Sequence, residues 1–160
     1  MTVAAAPPDL RAVITIVVMA GVFGLQQGVS YPLFALILEE AGHSRTMIGL
    51  NAAMLPLGLI AAAPVIAPLA RRIGAGGVAL VSCALMIAAL LALALTRDLA
   101  LWFAARFVLG LGINGVYVVS ETWLNLLVPR AQRGRWLAVY ATSLAAGFAL
   151  GPTLLLATGT

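Results

Sequence analysis

Residues 99–128 read LALWFAARFVLGLGINGVYVVSETWLNLLV, a stretch that is apolar at most positions and contains no proline. A helix rises about 1.5 Å per residue, so about 20 apolar residues cross a hydrocarbon layer of ~30 Å. This stretch exceeds that length. It therefore predicts a membrane-spanning helix.

Four further apolar segments of similar length occur in the chain, separated by short loops that hold nearly every charge. The predicted spans are 12–38, 46–70, 76–95, 99–128 and 136–158, after a tail at 1–11. The sequence therefore predicts an all-α membrane protein, with a five-span bundle over 12–160.

Composition excludes several other classes of protein. Hydrophobic residues make up 63% of the chain and charged residues 9%, with a mean hydropathy of +1.11, which excludes a soluble globular domain. The basic residues are arginines in short loop clusters, so no nucleic-acid partner is expected. Cys83 is the single cysteine and His43 the single histidine, and neither lies in a catalytic motif. We expect no metal site, no cofactor and no enzymatic activity.

The arginines of the loops alternate between the two predicted sides of the membrane. Arg11, Arg71 and Arg72 fall on one side with the cluster at 130–135, whereas Arg45 and Arg97 fall on the other. By the positive-inside rule, loops rich in basic residues stay in the cytoplasm. The rule predicts a cytoplasmic N-terminus in a bacterial inner membrane. With five spans, residue 160 lies near the periplasmic side.

The first and fourth spans resemble each other weakly. Residues 24–31 read GLQQGVSY and residues 110–117 read GLGINGVY. Helices three spans apart cross the membrane in opposite directions, so this similarity predicts inverted three-helix repeats. Chance similarity between glycine-rich apolar helices is the alternative.

The fourth span carries a stripe of polar and small residues. Arg106, Gly110, Asn114, Tyr117 and Glu121 are three or four residues apart, so they share one face of a helix. A charge facing lipid costs several kcal/mol, so this face should turn toward protein or water and line a solute or ion route. A structural anchor is the alternative interpretation.

Polar side chains also occur near the middle of the first span, at Gln26, Gln27 and Tyr31. They suit the wall of a binding cavity, with hydrogen bonds between helices as the alternative.

Glycines elsewhere favour close helix packing, with a kink expected at a proline. The predicted packing residues are Gly110, Gly112, Gly147, Gly151 and Pro152.

Three motifs resemble those of the major facilitator superfamily. Arg106-x-x-x-Gly110-x-Gly112 is similar to its fourth-helix motif, and Gly147-x-x-x-Gly151-Pro152 to the start of its antiporter motif, although Leu155-Leu156 replace the closing glycines. The loop at 67–75 resembles a degenerate cytoplasmic gating motif in which Arg71 replaces the aspartate.

The resemblance implies most of an N-domain of a twelve-span transporter, with the remainder of that transporter as a partner. It implies alternating access for a small-molecule solute, with protons as a candidate coupling ion. Gln26, Gln27, Tyr31, Arg106, Asn114 and Tyr117 would line the cavity. Arg71, Arg72, Glu121, Arg133 and Arg135 would form the gate. The alternative is a small non-transporting membrane protein that packs against other helices.

Overall fold

The computed structural model describes residues 9–158, and all the regular structure in that range is helical. The elements are α1 (Leu10–Glu40), α2 (Arg45–Leu95), α3 (Leu99–Leu127), a 3₁₀ turn (Arg130–Gln132) and α4 (Arg133–Thr158). The predicted all-α class is confirmed.

Polar side chains that precede the first three helices cap their N-termini. The Asp9 carboxylate accepts hydrogen bonds from the backbone N–H groups of Arg11 and Ala12, and Ser44 Oγ accepts one from Met47. At the start of α3, Asp98 Oδ1 accepts one from Leu101 N at 2.8 Å. These caps satisfy amides that have no partner within the helix, so the short charged segments fix where the helices begin.

α2 is interrupted at Gly74. The helix covers 51 residues, which is about 75 Å of rise and more than twice the thickness of a bilayer core. Gly74 has φ 75° and ψ 164°, a conformation that is open to glycine and strained for other residues. The second and third predicted spans lie on either side of it, and the division into five spans stays a prediction.

α1 to α4 are each long and apolar enough to cross a membrane. Large apolar side chains lie on their outer surfaces, including Ile60, Leu80 and Leu126, each at least 70% exposed. Such surfaces are stable only against lipid or another protein. The chain is therefore a multi-pass α-helical membrane protein.

The described chain divides into two compact units. The terminal unit contains α1 up to Ile37 together with the residues from Ser120 onward, and the central unit is Leu38–Val119. In the terminal unit α1 packs on α4, and in the central unit α2 packs on α3.

Backbones approach closely in the α1–α4 interface. A Cβ on Gly28 would overlap the carbonyl of Phe148, and a Cβ on Gly147 would overlap the carbonyl of Gly21. Ser143 Oγ donates a hydrogen bond of 2.9 Å to the Val17 carbonyl. Contacts advance in the same direction along both helices, so α1 and α4 run parallel.

The α2–α3 interface is built in the same way. A Cβ on Gly110 would overlap the Leu55 carbonyl, and one on Gly58 would overlap the Phe107 carbonyl. Here too the helices are parallel. The part of α2 beyond Gly74 also packs on α3, where Val78 joins a core cluster with Ala62, Ile66 and Val119.

The contacts of the two interfaces correspond one to one at constant sequence offsets, which supports the predicted internal repeat. The inverted direction of the second copy stays a prediction. Gly24–Leu144 corresponds to Gly110–Leu55, Gly21–Gly147 corresponds to Phe107–Gly58, and Gly28–Phe148 corresponds to Asn114–Leu59.

Candidate functional site

Arg106 is the largest fully buried side chain of the described residues. It lies on α3 in the central unit and is 1% exposed. Asp98, the acid nearest to it in the sequence, is two helical turns away, and one of its carboxylate oxygens caps α3. A buried guanidinium is expensive in an apolar bundle, so this position requires polar surroundings.

Asn51 is a buried polar residue that the sequence analysis missed. Its side chain is 1% exposed, and Nδ2 has no hydrogen-bond acceptor in the described part of the chain. The only sequence signal is that Asn51 lies in the first two turns of a largely apolar helix. A polar residue near a helix N-terminus is common, so this signal does not indicate a site.

The packing register places Asn51 level with Arg106. Leu55 contacts Gly110, and Leu59 accepts a hydrogen bond from Asn114, four residues further along each helix. Four residues back from the first of these pairs are Asn51 and Arg106. Because the helices are parallel and residues four apart share a face, both side chains belong to one level of the α2–α3 interface.

Asn114 continues this polar column toward the middle of α3. Its Nδ2 donates to the Leu59 carbonyl at 3.0 Å, whereas its Oδ1 is buried without a donor among residues 9–158. Tyr117, three residues further, is half-buried. The central unit therefore holds a buried cation, a buried donor at Asn51 and a buried acceptor at Asn114 along one interface.

The predicted cavity residues of the first span lie in the terminal unit. Gln26 Nε2 donates to Ser30 Oγ at 2.9 Å, and Ser30 Oγ donates to the Gln26 carbonyl. Gln27 is 7% exposed, and its Oε1 accepts no hydrogen bond within the described range. The Tyr31 ring contacts Phe148 edge to face at a centroid distance of 6.0 Å. Gln26 Nε2 therefore bonds within its own helix, whereas the Oε1 atoms of both Gln26 and Gln27 are buried without a donor in the described part of the chain.

The six predicted cavity residues are thus divided between the two units. Gln26, Gln27 and Tyr31 share α1, and Arg106, Asn114 and Tyr117 share α3. A cavity that combines the two sets stays a prediction.

The predicted gating residues are divided in the same way. Arg71 and Arg72 are exposed in the central unit, just before Gly74. Glu121, Arg133 and Arg135 are in the terminal unit, where Glu121 is half-buried at the end of α3. A gate that joins these residues stays a prediction.

A hydrogen bond that the sequence analysis missed joins α3 to α4 beside Glu121. Ser120 Oγ and Tyr140 Oη are 2.8 Å apart, and Tyr140 is 4% exposed. The bond ties the last turns of α3 to the second turn of α4. A lone serine in an apolar segment gives no signal of it.

Comparison with known proteins gives a family match over most of the chain. The model of the Major Facilitator Superfamily matches residues 16–159. An uncharacterized MFS-type transporter of Bacillus subtilis, YfkF, is 28% identical over 86% of this chain and 35% of its own length. An uncharacterized transporter of Schizosaccharomyces pombe is 28% identical over 92% of this chain and 31% of its own length. The chain thus spans about a third of the length of these relatives. No solved structure matches it.

Proposed function

The chain belongs to the Major Facilitator Superfamily, and from that premise we propose that it forms part of a secondary transporter of a small solute. Transport would proceed by alternating access, in which helix bundles rock around a site near the middle of the membrane. Both relatives named above are described as transporters, which supports the proposal.

The observation that carries the proposal is the buried polar column of the central unit. Insertion of an arginine at the centre of a membrane helix costs about 2.5–3.5 kcal/mol, so a chain keeps one where it binds something. Arg106 would bind an anionic or carbonyl group of the solute, or adjust the affinity of a proton carrier. Asn51 and Asn114 would supply the neighbouring donor and acceptor, with Gln26, Gln27, Tyr31 and Tyr117 completing the cavity.

The orientation of the chain in the membrane and the position of the gate are part of the same proposal. The N-terminus would be cytoplasmic in a bacterial inner membrane, because the larger arginine clusters would otherwise have to cross the bilayer. Arg71, Arg72, Glu121, Arg133 and Arg135 would then lie at the cytoplasmic gate, with protons as the candidate coupling ion.

The alternative of a non-transporting helix-packing protein is less well supported. Such a protein needs small-residue faces that are open to a partner. The glycines on α3 and α4 that the sequence suggested for this role contact the chain's own backbone within each unit.

A ligand screen on the full-length protein tests the proposal. Thermal unfolding is followed in detergent with panels of small carboxylates, sugars and organic cations, because a ligand at 100 times its Kd stabilises the folded state by about 2.7 kcal/mol. We expect at least one compound to raise the unfolding temperature of the wild type, to have no effect on Arg106→Ala, and to have its normal effect on the control Arg97→Ala. Arg97 is an exposed loop arginine.

Arg106→Lys separates two modes of binding. A point charge is enough for simple neutralisation, whereas a two-pronged hydrogen bond to a carboxylate needs the planar guanidinium. Full ligand stabilisation in Arg106→Ala, with uptake of the same compound into vesicles unchanged, would remove Arg106 from the site and leave it a structural residue.

A further inference from the structure

We propose that the end of the terminal unit where α1 and α4 begin binds the headgroup of an anionic phospholipid. The surface consists of Arg11, Arg130, Arg133 and Arg135, and is called the arginine end below. This inference does not depend on which solute is transported.

The packing register brings these arginines to one level. Ser143 of α4 donates a hydrogen bond to Val17 of α1, and Gly147 contacts Gly21, so the two helices advance together. Six residues back from Val17 is Arg11, and six residues back from Ser143 is residue 137. Arg133 and Arg135 therefore lie within a few ångströms of the depth of Arg11, at about 1.5 Å per residue.

The arginine end has an excess of positive charge at its surface. Arg11, Arg130 and Arg135 are exposed, and Arg133 is half-buried. The Arg133 Nε atom is shielded from solvent and has no acceptor among the described residues.

The two acids near the arginine end offset only part of the charge of its four arginines. Asp9 uses Oδ1 to cap the first amides of α1, and Glu121 is the other acid of the terminal unit near this end. The beginnings of α1 and α4 add positive dipole ends at the same level. The surface is therefore suited to an anion.

The residues below the arginines identify a lipid as the source of that anion. Within the first turns of the same two helices, Ile14, Val18 and Val139 are 54%, 56% and 40% exposed. Trp136 lies in the first turn of α4, where aromatic side chains favour the interface between headgroups and acyl chains. A basic level directly above an exposed apolar level matches a phospholipid, with phosphate on the arginines and acyl chains on the helix surfaces. Free phosphate would use only the first of these levels.

Native mass spectrometry of the full-length protein in detergent tests the inference. The protein is titrated with dioleoylphosphatidylglycerol and, separately, with dioleoylphosphatidylcholine, which has the same chains and no net charge. We expect preferential binding of the anionic lipid. Arg133→Gln with Arg135→Gln should weaken it by about fivefold per arginine, or about 25-fold in total. The matched double variant, Arg45→Gln with Arg97→Gln, removes two exposed arginines outside this surface and should change the affinity less than twofold.

A second variant protects the test against misfolding. If Arg133→Gln with Arg135→Gln gives no folded protein, Arg11→Gln with Arg130→Gln removes two exposed charges of the same surface and should give a similar loss. Equal binding of the two lipids overturns the inference, as does an equal loss in the control pair. Displacement of the bound lipid by millimolar inorganic phosphate would instead indicate a free-phosphate site, and would also overturn it.

Discussion

The α1–α4 interface of the terminal unit and the α2–α3 interface of the central unit share a backbone plan and differ in polarity. Both bring parallel helices together through glycines that face carbonyl groups. At the position where the first has Gly28 against Phe148, the second has Asn114 bonded to Leu59. About two helical turns before that, the first has Ala20 and the second has Arg106.

The comparison shows that helix pairing and the polar site are specified separately. Glycines at matching positions are enough to pack both pairs, because association in lipid depends on close van der Waals contact. Among the described residues of the two pairs, the buried charge is Arg106, and it lies in the α2–α3 pair. The buried charge at Arg106 has no counterpart in the terminal interface, so close packing of parallel helices does not by itself call for a charge at that position.

The largest expected effect comes from blocking the backbone contacts in both interfaces. Gly28→Val and Gly110→Val each place a side chain against a neighbouring carbonyl, and no rotamer relieves a clash of Cβ with backbone. We expect each to lower the free energy of unfolding by about 3 kcal/mol, the upper end of the usual cost of overpacking. The folded full-length protein should then be largely lost on size-exclusion chromatography. Gly49→Val, at a helical glycine with open space, is the control. Normal yield of both interface variants would mean that the helices are not in backbone contact.

The next effect concerns the insertion cost of an arginine at the two matching positions of α1 and α3. Ala20, at the position that matches Arg106, is 5% exposed. Ala20→Arg should reduce insertion of the α1 segment by about 2.5–3.5 kcal/mol in a translocon-based assay. Arg106→Ala in the α3 segment should improve insertion by a similar amount. Efficient insertion of Ala20→Arg would show that an arginine at this depth has no insertion cost, and would contradict the argument from the cost of Arg106.

A smaller effect is expected from the hydrogen bond that distinguishes the central interface. Asn114→Ala removes the bond to the Leu59 carbonyl, and a hydrogen bond between membrane helices contributes about 0.6 to 1.7 kcal/mol. Thermal unfolding in detergent should show this loss. Asn125→Ala is the matched control, because its side chain bonds only to the Glu121 carbonyl of its own helix. Equal losses in the two variants would contradict a bond that joins α2 to α3.

The smallest effect is expected at the hydrogen bond that joins the two helices of the terminal interface. Ser143→Ala removes the hydrogen bond to Val17, whose carbonyl lies inside α1 and is also available to the helix ladder. We expect a loss of about 0.6 kcal/mol, near the average for such bonds. Thr153→Ala, which removes a hydroxyl bonded within α4, provides the baseline. A loss above that for Asn114→Ala would reverse the ranking of the two interfaces.

The sequence predicted the all-α class and its long apolar helices, because a long hydrophobic segment in a membrane must form a helix. The apolar segments, the charged loops and the buried position of Arg106 follow from the cost of placing charge or open backbone in lipid. These are local properties that a single sequence displays.

Other features could not be predicted, because they depend on contacts distant in sequence. Nothing local to Asn51 shows that it lies level with Arg106, since that follows from the register of α2 on α3. The pairing of α1 with α4 likewise depends on Gly21 and Gly147 meeting across more than a hundred residues. The break in α2 lies at Gly74, whereas the sequence predicted a loop over 71–75 without identifying the glycine that turns it.

The glycine contacts also have a consequence for conformational entropy. A long side chain that becomes ordered at a helix interface loses up to about 2 kcal/mol of rotamer freedom, whereas glycine has none to lose. The two helix pairs therefore form with little ordering of side chains at their points of closest approach. Helix pairing at these points is therefore opposed by a smaller loss of side-chain entropy than pairing through long side chains would be.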